Sequence, residues 1–560
     1  MIGLLCRSLC VASALASLVK ADCPPDGSHH AAFYSDDTMF TSAIDNAPGS
    51  WGVRPTGITV PHHLLVPDLL ADGIGRVKGY EYDRIILLFP DHFRVLRTPF
   101  GTVNAGFDTV LGPVVTDQNT GTFAADPHVS DSCALADDHG LRALLPFVAD
   151  ALPNVPVLPV AISIRTTRED WQALADKLAP FVTKQTLVLQ STDFSHFLPH
   201  HEARLRDQET LNVLAAGDLD ALVALRQPDH IDSTGAMYVQ MVLQDEMFGA
   251  KPVILANRNS QIYSTDFVAE TTSYVVAAFT SASGPAPGPI EAERLILGGD
   301  TFFGRAIAKE LPDELARARL TEGVLQATKG LPLVLNLEGV LLSDIPDTLP
   351  HLTLGMPADL ATDLLADFDT TAVSLANNHS EDLGPAGLRE TEDALKRANI
   401  KTIRSGGQLL RPGLALTALS DFRDGTANTL ADRDLDAVFV TDPTRASVAF
   451  LHWGREFETT PGPREKLLAS QLHVRGASVI IGAHPHRASS DFELIGGSET
   501  LVLYSLGNFF FDQPATIASG ALAELSVFPQ GTVFVRQHRL PNLFDTVRGV
   551  PSPEVESKTD

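Results

Sequence analysis

The sequence has only four cysteines, three tryptophans, and 42 basic residues against 69 acidic ones. Four cysteines are too few for a disulfide scaffold. Cys6 and Cys10 lie in the extreme N-terminus, so a tetrathiolate zinc site is excluded once that segment is removed. Cys23 and Cys133 remain as a candidate pair, which two cysteines alone do not establish. The shortage of basic side chains leaves a formal charge of −27 and a pI near 5.0. Such a surface repels phosphate backbones and anionic lipid, so no nucleic-acid partner is expected. Beyond the N-terminus no apolar run approaches the ~18 residues of a membrane span, so no transmembrane segment is expected in the mature chain. What is present is an ordinary globular composition, 44% hydrophobic and 20% charged with a mean hydropathy of +0.06. That excludes a disordered chain or a low-complexity fibre. At ~100–200 residues per domain, the length calls for two to four domains.

The first residues follow export grammar. Arg7 precedes an apolar run over residues 9–19, and Ala14-Leu15-Ala16 and Val19-Lys20-Ala21 offer small-residue cleavage triplets. The run is shorter than the ~20 residues that span a bilayer. Residues 1–22 are therefore expected to be a signal peptide, and the mature protein to be exported to the periplasm, the outside or the cell envelope. The stretch SASGPAPGP opens a linker over residues 281–291. It separates a domain over 50–280 from one over 292–540, and a polar tail over 541–560 follows.

Both halves repeat one local pattern: a short β-branched apolar run that ends in polar, metal-competent residues. In the first half these are GITVPHH, RIILLFPDH and TLVLQSTDFSH; in the second, RLILGGD, LVLNLEG, AVSLANNH, VAFLHWG, SVIIGAHPH and LVLYSLGNF. Such runs suit strands buried on both faces. Amphipathic stretches at 170–182, 387–398 and 464–474 read as helices between them, the last closed by Gly476. Alternating strands and helices mean α/β, where sites gather at the carboxyl ends of the strands.

In the second half those strand ends carry Asp300, Glu338, Asn377-Asn378-His379, His452, and His484 with His486. Carboxylates, an amide oxygen and neutral imidazoles, with no thiolate, are the donor set of a divalent cation such as Mn, Zn or Fe. Pro485 between the last two histidines stiffens the turn that carries them.

These residues fall in blocks: Gly299-Asp300, Asn336-Leu337-Glu338, Ala376-Asn377-Asn378-His379, His452-Trp453-Gly454, Gly482-Ala483-His484-Pro485-His486 and Ser505-Leu506-Gly507-Asn508-Phe509. In that order they resemble the signature of the CapA family of capsule and poly-γ-glutamate synthesis proteins, itself similar to calcineurin-like metallophosphoesterases. The resemblance implies an α/β/β/α sandwich with Asp300, Glu338, Asn378, His452, His484 and His486 as metal ligands. It implies that His379 protonates a leaving group. Two positions depart from the wider pattern: Phe302 stands where a histidine ligand is expected, and Glu338 where a bridging aspartate is expected.

In the first half, Pro61-His62-His63, Pro90-Asp91-His92, Asp138-His139-Gly140 and Ser191-Thr192-Asp193-Phe194-Ser195-His196 are the informative pieces. They suit one cation or a hydrogen-bonded polar cluster without metal. Residues 141–148 read as a buried helix. With Leu145-Pro146-Phe147, these blocks resemble the Memo family (AmmeMemoRadiSam protein B), similar in fold to class III extradiol dioxygenases. The resemblance implies iron or copper held by His62 and His92. The family's third ligand, a cysteine before a glycine, is replaced by Thr234 before Gly235. His139, Asp193 and His196 are the candidate substitutes.

The expectation is thus a two-domain α/β protein with a Memo-like and a metallophosphoesterase-like half. The functional expectation is an exported metal-dependent hydrolase acting on an envelope polymer or a phosphoester, by phosphoesterase-like chemistry or γ-glutamyl amide hydrolysis. The alternative is a non-catalytic polymer-binding or assembly factor with a structural or vestigial metal site. If residues 1–22 direct export, N-terminal sequencing of the secreted or periplasmic protein should find a start between Ser17 and Asp22; recovery of intact cytoplasmic chain beginning at Met1 would contradict it.

Overall fold

The computed structural model describes residue 24, residues 28–281, and residues 292–550 except 312, 347, 424–425, 428–429, 431 and 498–499. The expected signal peptide, the linker after Ser281 and the last ten residues lie outside the described residues. The chain divides into two compact units, Met1–Thr210 with Gly217–Pro289, and Ile290–Asp560 with the short segment Leu211–Ala216. Both are α/β.

The first unit is built on a nine-stranded sheet. Its strands are β1 (Gly57–Val60), β2 (Arg84–Pro90), β3 (Phe100–Thr102), β4 (Val129–Asp131), β5 (Val157–Ile162), β6 (Thr186–Ser191), β7 (His196–Leu198), β8 (Ala250–Asn259) and β9 (Thr271–Ser281). They lie in the order β7-β9-β1-β6-β2-β5-β3-β4, with β8 also on β9. The central four, β1, β6, β2 and β5, are mutually parallel. Every residue of β1, β5 and β6 is buried, as their unbroken apolar runs require. The core beneath the sheet also takes Phe40 and Ala43 from the helix Thr38–Asp45, ahead of residue 50. The expected helix at 170–182 is Arg168–Leu178, started by a Thr167–Asp170 capping box and continued as a 3₁₀ turn to Phe181. The single helix expected at 141–148 is two, His139–Arg142 and Leu145–Ala151. Pro146 explains the break, because its ring excludes the preceding residues from one continuous helix. Cys133 is disulfide-bonded.

The second unit holds two larger sheets. The first contains β10 (Glu293–Thr301), β11 (Leu333–Leu337), β12 (Thr370–Ser374), β13 (Lys401–Ile403), β20 (Asn508–Phe510), β21 (Gly520–Val527) and β22 (Val533–Leu540). The second contains β14 (Gln408–Arg411), β15 (Leu414–Ser420), β16 (Ala446–His452), β17 (Val479–Ala483), β18 (Glu493–Ile495) and β19 (Thr500–Leu503). Their orders are β13-β12-β11-β10-β21-β22, with β20 on β10, and β14-β15-β16-β17-β19-β18. In each, the strands that carry the candidate ligands are parallel neighbours: β10, β11 and β12 in one, β16 and β17 in the other. Helices including Glu314–Thr328 and Ala358–Asp367 pack on the first sheet, and Pro463–Val474 on the second. Gly476, at φ +87°, ends the last of these one residue beyond its C-cap, and its N–H reaches the His473 carbonyl at 2.8 Å. Residues 541–550 were expected to be a loose tail, but Leu543–Val547 is a helix whose Leu543, Phe544 and Val547 enter the core. Their one-turn spacing was the overlooked signal.

Close backbone approach decides one glycine. A Cβ on Gly299 would meet the Gly507 carbonyl oxygen at 1.9 Å, and that oxygen already accepts the Asp300 N–H at 2.9 Å. Gly299→Ala should destabilise the protein by about 3 kcal/mol, the upper end of overpacking costs, because backbone cannot step aside. Gly323→Ala, whose Cβ in the helix Glu314–Thr328 meets nothing closer than Leu543 at 4.0 Å, should instead stabilise by ~0.5–1 kcal/mol. Thermal unfolding of the two variants checks both signs.

Candidate metal centres

In the second unit, Asp300 lies in the last turn of β10, Glu338 follows β11, Asn378 follows β12, His452 ends β16, and His484 and His486 follow β17. The parallel register brings these strand ends to one edge. Ligand atoms of Asp300, Glu338 and His486 all lie within 4.8 Å of one another, and all three residues are buried. His486 Nδ1 is 3.2 Å from Asp300 Oδ2, and His452 Nδ1 is 3.9 Å from Asp300 Oδ1. His452 Nε2 contacts Asn378 Oδ1 at 2.8 Å, and the His452 and His484 rings are 4.7 Å apart. The donors therefore form two adjoining groups, Asp300–Glu338–His486 and Asn378–His452–His484.

Residues quoted in the sequence blocks but given no role there hold these donors. Asn336 donates through Nδ2 to Asp300 Oδ1 at 2.9 Å and lies 3.1 Å from His452 Nδ1. Asn508, opposite Asp300 in the β10–β20 register, places its Oδ1 2.7 Å from His486 Nδ1. The His484 N–H donates to both oxygens of Asp300 at 3.0 Å. His484 and His486 adopt φ of +98° and +57°, a region costly for non-glycine residues, which the surrounding turn holds in place. His484 Nδ1 is buried and has no hydrogen-bond partner. A buried orphan nitrogen, on a residue whose N–H already holds Asp300, fits a cation better than a closed polar network.

The electrostatics agree. Burial opposes ionisation of Asp300, but His486 and then His452 outweigh it and hold the carboxyl well below its usual range. Burial and the neighbouring Asp300 push Glu338 well up. Burial pushes His452 well down, with His484 adding to the effect, and burial takes His484 down to about 4. Neutral His452 and His484 are the ligand forms a divalent cation requires; His486, raised by Asp300, and Glu338 would give up protons when a cation binds.

His379 does not enter these groups. Its Nδ1 pairs with Asp382 Oδ2 at 2.9 Å, and that same oxygen accepts the Leu354 N–H at 2.7 Å. Asp382 is thus more than a turn former: it fixes the ring and directs Nε2 away from itself. Phe302, in the expected histidine position, is fully buried with its ring 5.2 Å from Phe511, which in turn lies 4.9 Å from His486. An aromatic wall replaces a donor there. Trp453 is also wall: fully buried, stacked on Tyr504, with Nε1 donating to the Tyr504 carbonyl at 2.9 Å. Two cavities meet at Phe422. One, about 330 Å³, is lined by Trp453, Arg455, Arg464 and Glu465; the other, about 800 Å³, by Asn378, Glu381, Asp382 and Arg404.

In the first unit, β6 lies between β1 and β2, so His62 and His92 do not leave adjacent strands. Their rings still meet at 4.6 Å, because both sit on loops just past the strand ends and lean across the strand that carries Asp193. His139 stacks on His92 at 3.9 Å, and the ligand atoms of all three histidines lie within 4.8 Å. Asp193 accepts the His62 N–H at Oδ1 (3.1 Å) and lies 3.6 Å from His62 Nε2 at Oδ2. His196 is outside this group, its Nδ1 paired with the Phe194 carbonyl. Thr234 is buried at the start of the helix Thr234–Phe248. Sequence reasoning missed Asp138 as the partner of His92 Nδ1 at 2.7 Å, and Asp232.

Comparison with known proteins matches the two halves to different family models. Residues 294–411 and 417–513 match the model of bacterial capsule synthesis protein PGA_cap, and residues 33–280 match the Memo-like protein model. The chain joins a Memo-like half to a PGA_cap-like half. The PGA_cap-like half is similar to the PGA biosynthesis protein CapA of Bacillus subtilis, 28% identical over 193 residues, covering 30% of this chain and 50% of that protein. The capsule biosynthesis protein CapA of Bacillus anthracis is also 28% identical, covering 30% of this chain and 46% of that protein. The chain therefore spans about half the length of these curated relatives. The Memo-like half is similar to a MEMO1 family protein of Methanopyrus kandleri, 24% identical, covering 27% of this chain and 56% of that protein.

In the Memo-like half, burial alone would push His92 down, but the Asp138 hydrogen bond and the neighbouring Asp232 carboxylate outweigh it and raise the imidazole to about 10. A raised histidine contributes stability that is fully present below its unfolded value of ~6.5 and is lost as pH rises through the folded value. In metal-free protein, Asp138→Ala should bring the His92 titration down by several pH units and remove most of the stability lost between about pH 6.5 and 10. Imidazole NMR titration with denaturation at pH 6 and 10 reads both.

Proposed function

We propose that the chain is an exported protein whose PGA_cap-like half is a metal-dependent hydrolase acting on, or during synthesis of, an envelope polymer such as poly-γ-glutamate, with a phosphoester as the other substrate class. Names of the two Bacillus relatives support the polymer, since one is called a PGA and the other a capsule biosynthesis protein. Arg7 with its apolar run and the disulfide-bonded state of Cys133 support export to an oxidising compartment. No helix among the described residues is long and apolar enough to cross a membrane.

The observation that carries the hydrolase reading is His379, held by Asp382 next to the ligand candidate Asn378 and itself outside both donor groups. A purely structural metal site has no need of an oriented spare imidazole. Asp300, Glu338, Asn378, His452, His484 and His486 would hold Mn, Zn or Fe, which when bound would supply charge neutralisation and water activation. Asp382 orients the His379 ring through Nδ1, which leaves Nε2 as the atom that would hand a proton to the leaving oxygen or nitrogen. Arg404 and Arg455, lining the two flanking cavities, would meet anionic groups of the substrate.

A second reading rests on Phe302. With an aromatic ring in place of a donor, the Asp300 group has three protein ligands, and the half would then bind polymer and assist assembly without cleaving it.

His379→Ala should lower turnover by ~10²–10⁴-fold with metal content unchanged. His484→Ala should lower metal affinity instead. The assay is bound metal and hydrolysis of phosphoesters and γ-glutamyl peptides, side by side. Full turnover in His379→Ala would refute the general-acid role. Tight metal binding by wild type with no cleavage across the panel would select the assembly-factor reading.

A further inference from the structure

The Memo-like half has lost the cysteine that would complete its metal site, and Thr234 stands in that place. The residue that reaches the two histidines lies two positions earlier. Asp232 Oδ2 is 3.3 Å from His62 Nε2 and 3.5 Å from His92 Nε2. The Asp232 side chain is 9% exposed, and Oδ2 accepts no hydrogen bond.

Everything around these three atoms is already committed elsewhere. His62 Nδ1 contacts Ser191 Oγ at 3.1 Å, and His92 Nδ1 contacts Asp138 Oδ1 at 2.7 Å. Asp138 itself is anchored by the N–H groups of His92 and Gly140. Asp232 Oδ1 accepts from the Thr192 hydroxyl. Each donor is therefore oriented from behind by a hydrogen bond, the arrangement that sets tautomer and aim in metal sites. The spacing fits as well. Two donors about 2.0–2.1 Å from one metal at a tetrahedral angle are about 3.4 Å apart. His139 is the weaker candidate, since its side chain is 49% exposed and its ring is stacked on His92.

We propose that Asp232 is the third ligand of the first-half site, so that His62, His92 and Asp232 form a two-histidine, one-carboxylate centre for Fe(II) or a similar borderline divalent cation. Replacing thiolate by carboxylate moves the preference away from Cu(I), which soft sulfur ligands select. This inference rests on the first half alone and is independent of the hydrolase reading.

The test uses the full mature chain carrying His452→Ala, His484→Ala and His486→Ala, which remove ligands from both second-half groups. Co(II) and anaerobic Fe(II) titrations report binding directly, through visible absorption and calorimetry. Asp232→Ala and Asp232→Asn should weaken binding by more than ~100-fold, beyond the 10–100-fold typical of a residue behind a ligand. Thr234→Ala should change it by less than about twofold, and His139→Ala by less than tenfold. Asp232→His should restore binding with a shifted Co(II) spectrum, and Asp232→Cys should restore it with a new near-ultraviolet thiolate band and a gain in Cu(I) affinity. Circular dichroism confirms that each variant is folded, and the His and Cys variants keep the test decisive if Asp232→Ala is not. The proposal is overturned if Asp232→Ala binds Co(II) as tightly as its parent, if Thr234→Ala or His139→Ala loses more affinity than Asp232→Ala, or if the parent binds neither cation.

Discussion

Asp300 is a carboxylate with no exposure to solvent, and the second half is arranged around that fact. An ionised carboxylate in such a place costs several kcal/mol unless its charge is met. Asn336 and the His484 N–H meet part of it with hydrogen bonds, and His486 adds a partner on the other side. Yet Glu338 is buried within reach of the same atoms, and two carboxylates cannot share a dry site on those terms. One of them takes a proton, or a cation sits between them. The positive φ values at His484 and His486 show that the chain accepts backbone strain to keep both imidazoles at this edge.

The two halves solve the same problem with different parts. In each, parallel strands end at one edge and hand polar side chains to it, and histidines such as His486 and His92 are aimed by hydrogen bonds from residues outside the set. The Memo-like half places its carboxylates on the β6 loop and just before a helix; the PGA_cap-like half draws on two sheets. Phe302 joins an aromatic cluster beside the second-half site, whereas in the first half Asp232 lies within 3.3 Å of His62.

Much of this was legible in the chain. The β-branched runs marked the buried strands, and the abrupt polar residues after them marked the strand ends, because a run buried on both faces has few other places to put a histidine or aspartate. The helices at 168–178 and 463–474 followed from apolar spacing and their caps. What stayed hidden was long-range. Asn336 and Asn508 look like ordinary strand residues until the register sets them beside Asp300. Asp232 sits in a loop with no periodicity, and only the placement of His62 and His92 across β6 gives it a role. The break at Pro146 and the closing helix Leu543–Val547 were local, and the proline and the one-turn apolar spacing were there to be read.

The most direct measurement is anomalous diffraction from crystals of the full chain grown with Mn(II), collected on both sides of the metal edge. The account predicts a peak about 2.0–2.2 Å from carboxylate oxygens of Asp300 and Glu338, with the His486 imidazole on the same ion. Density that leaves this edge empty while Mn(II) occupies only surface carboxylates would contradict it.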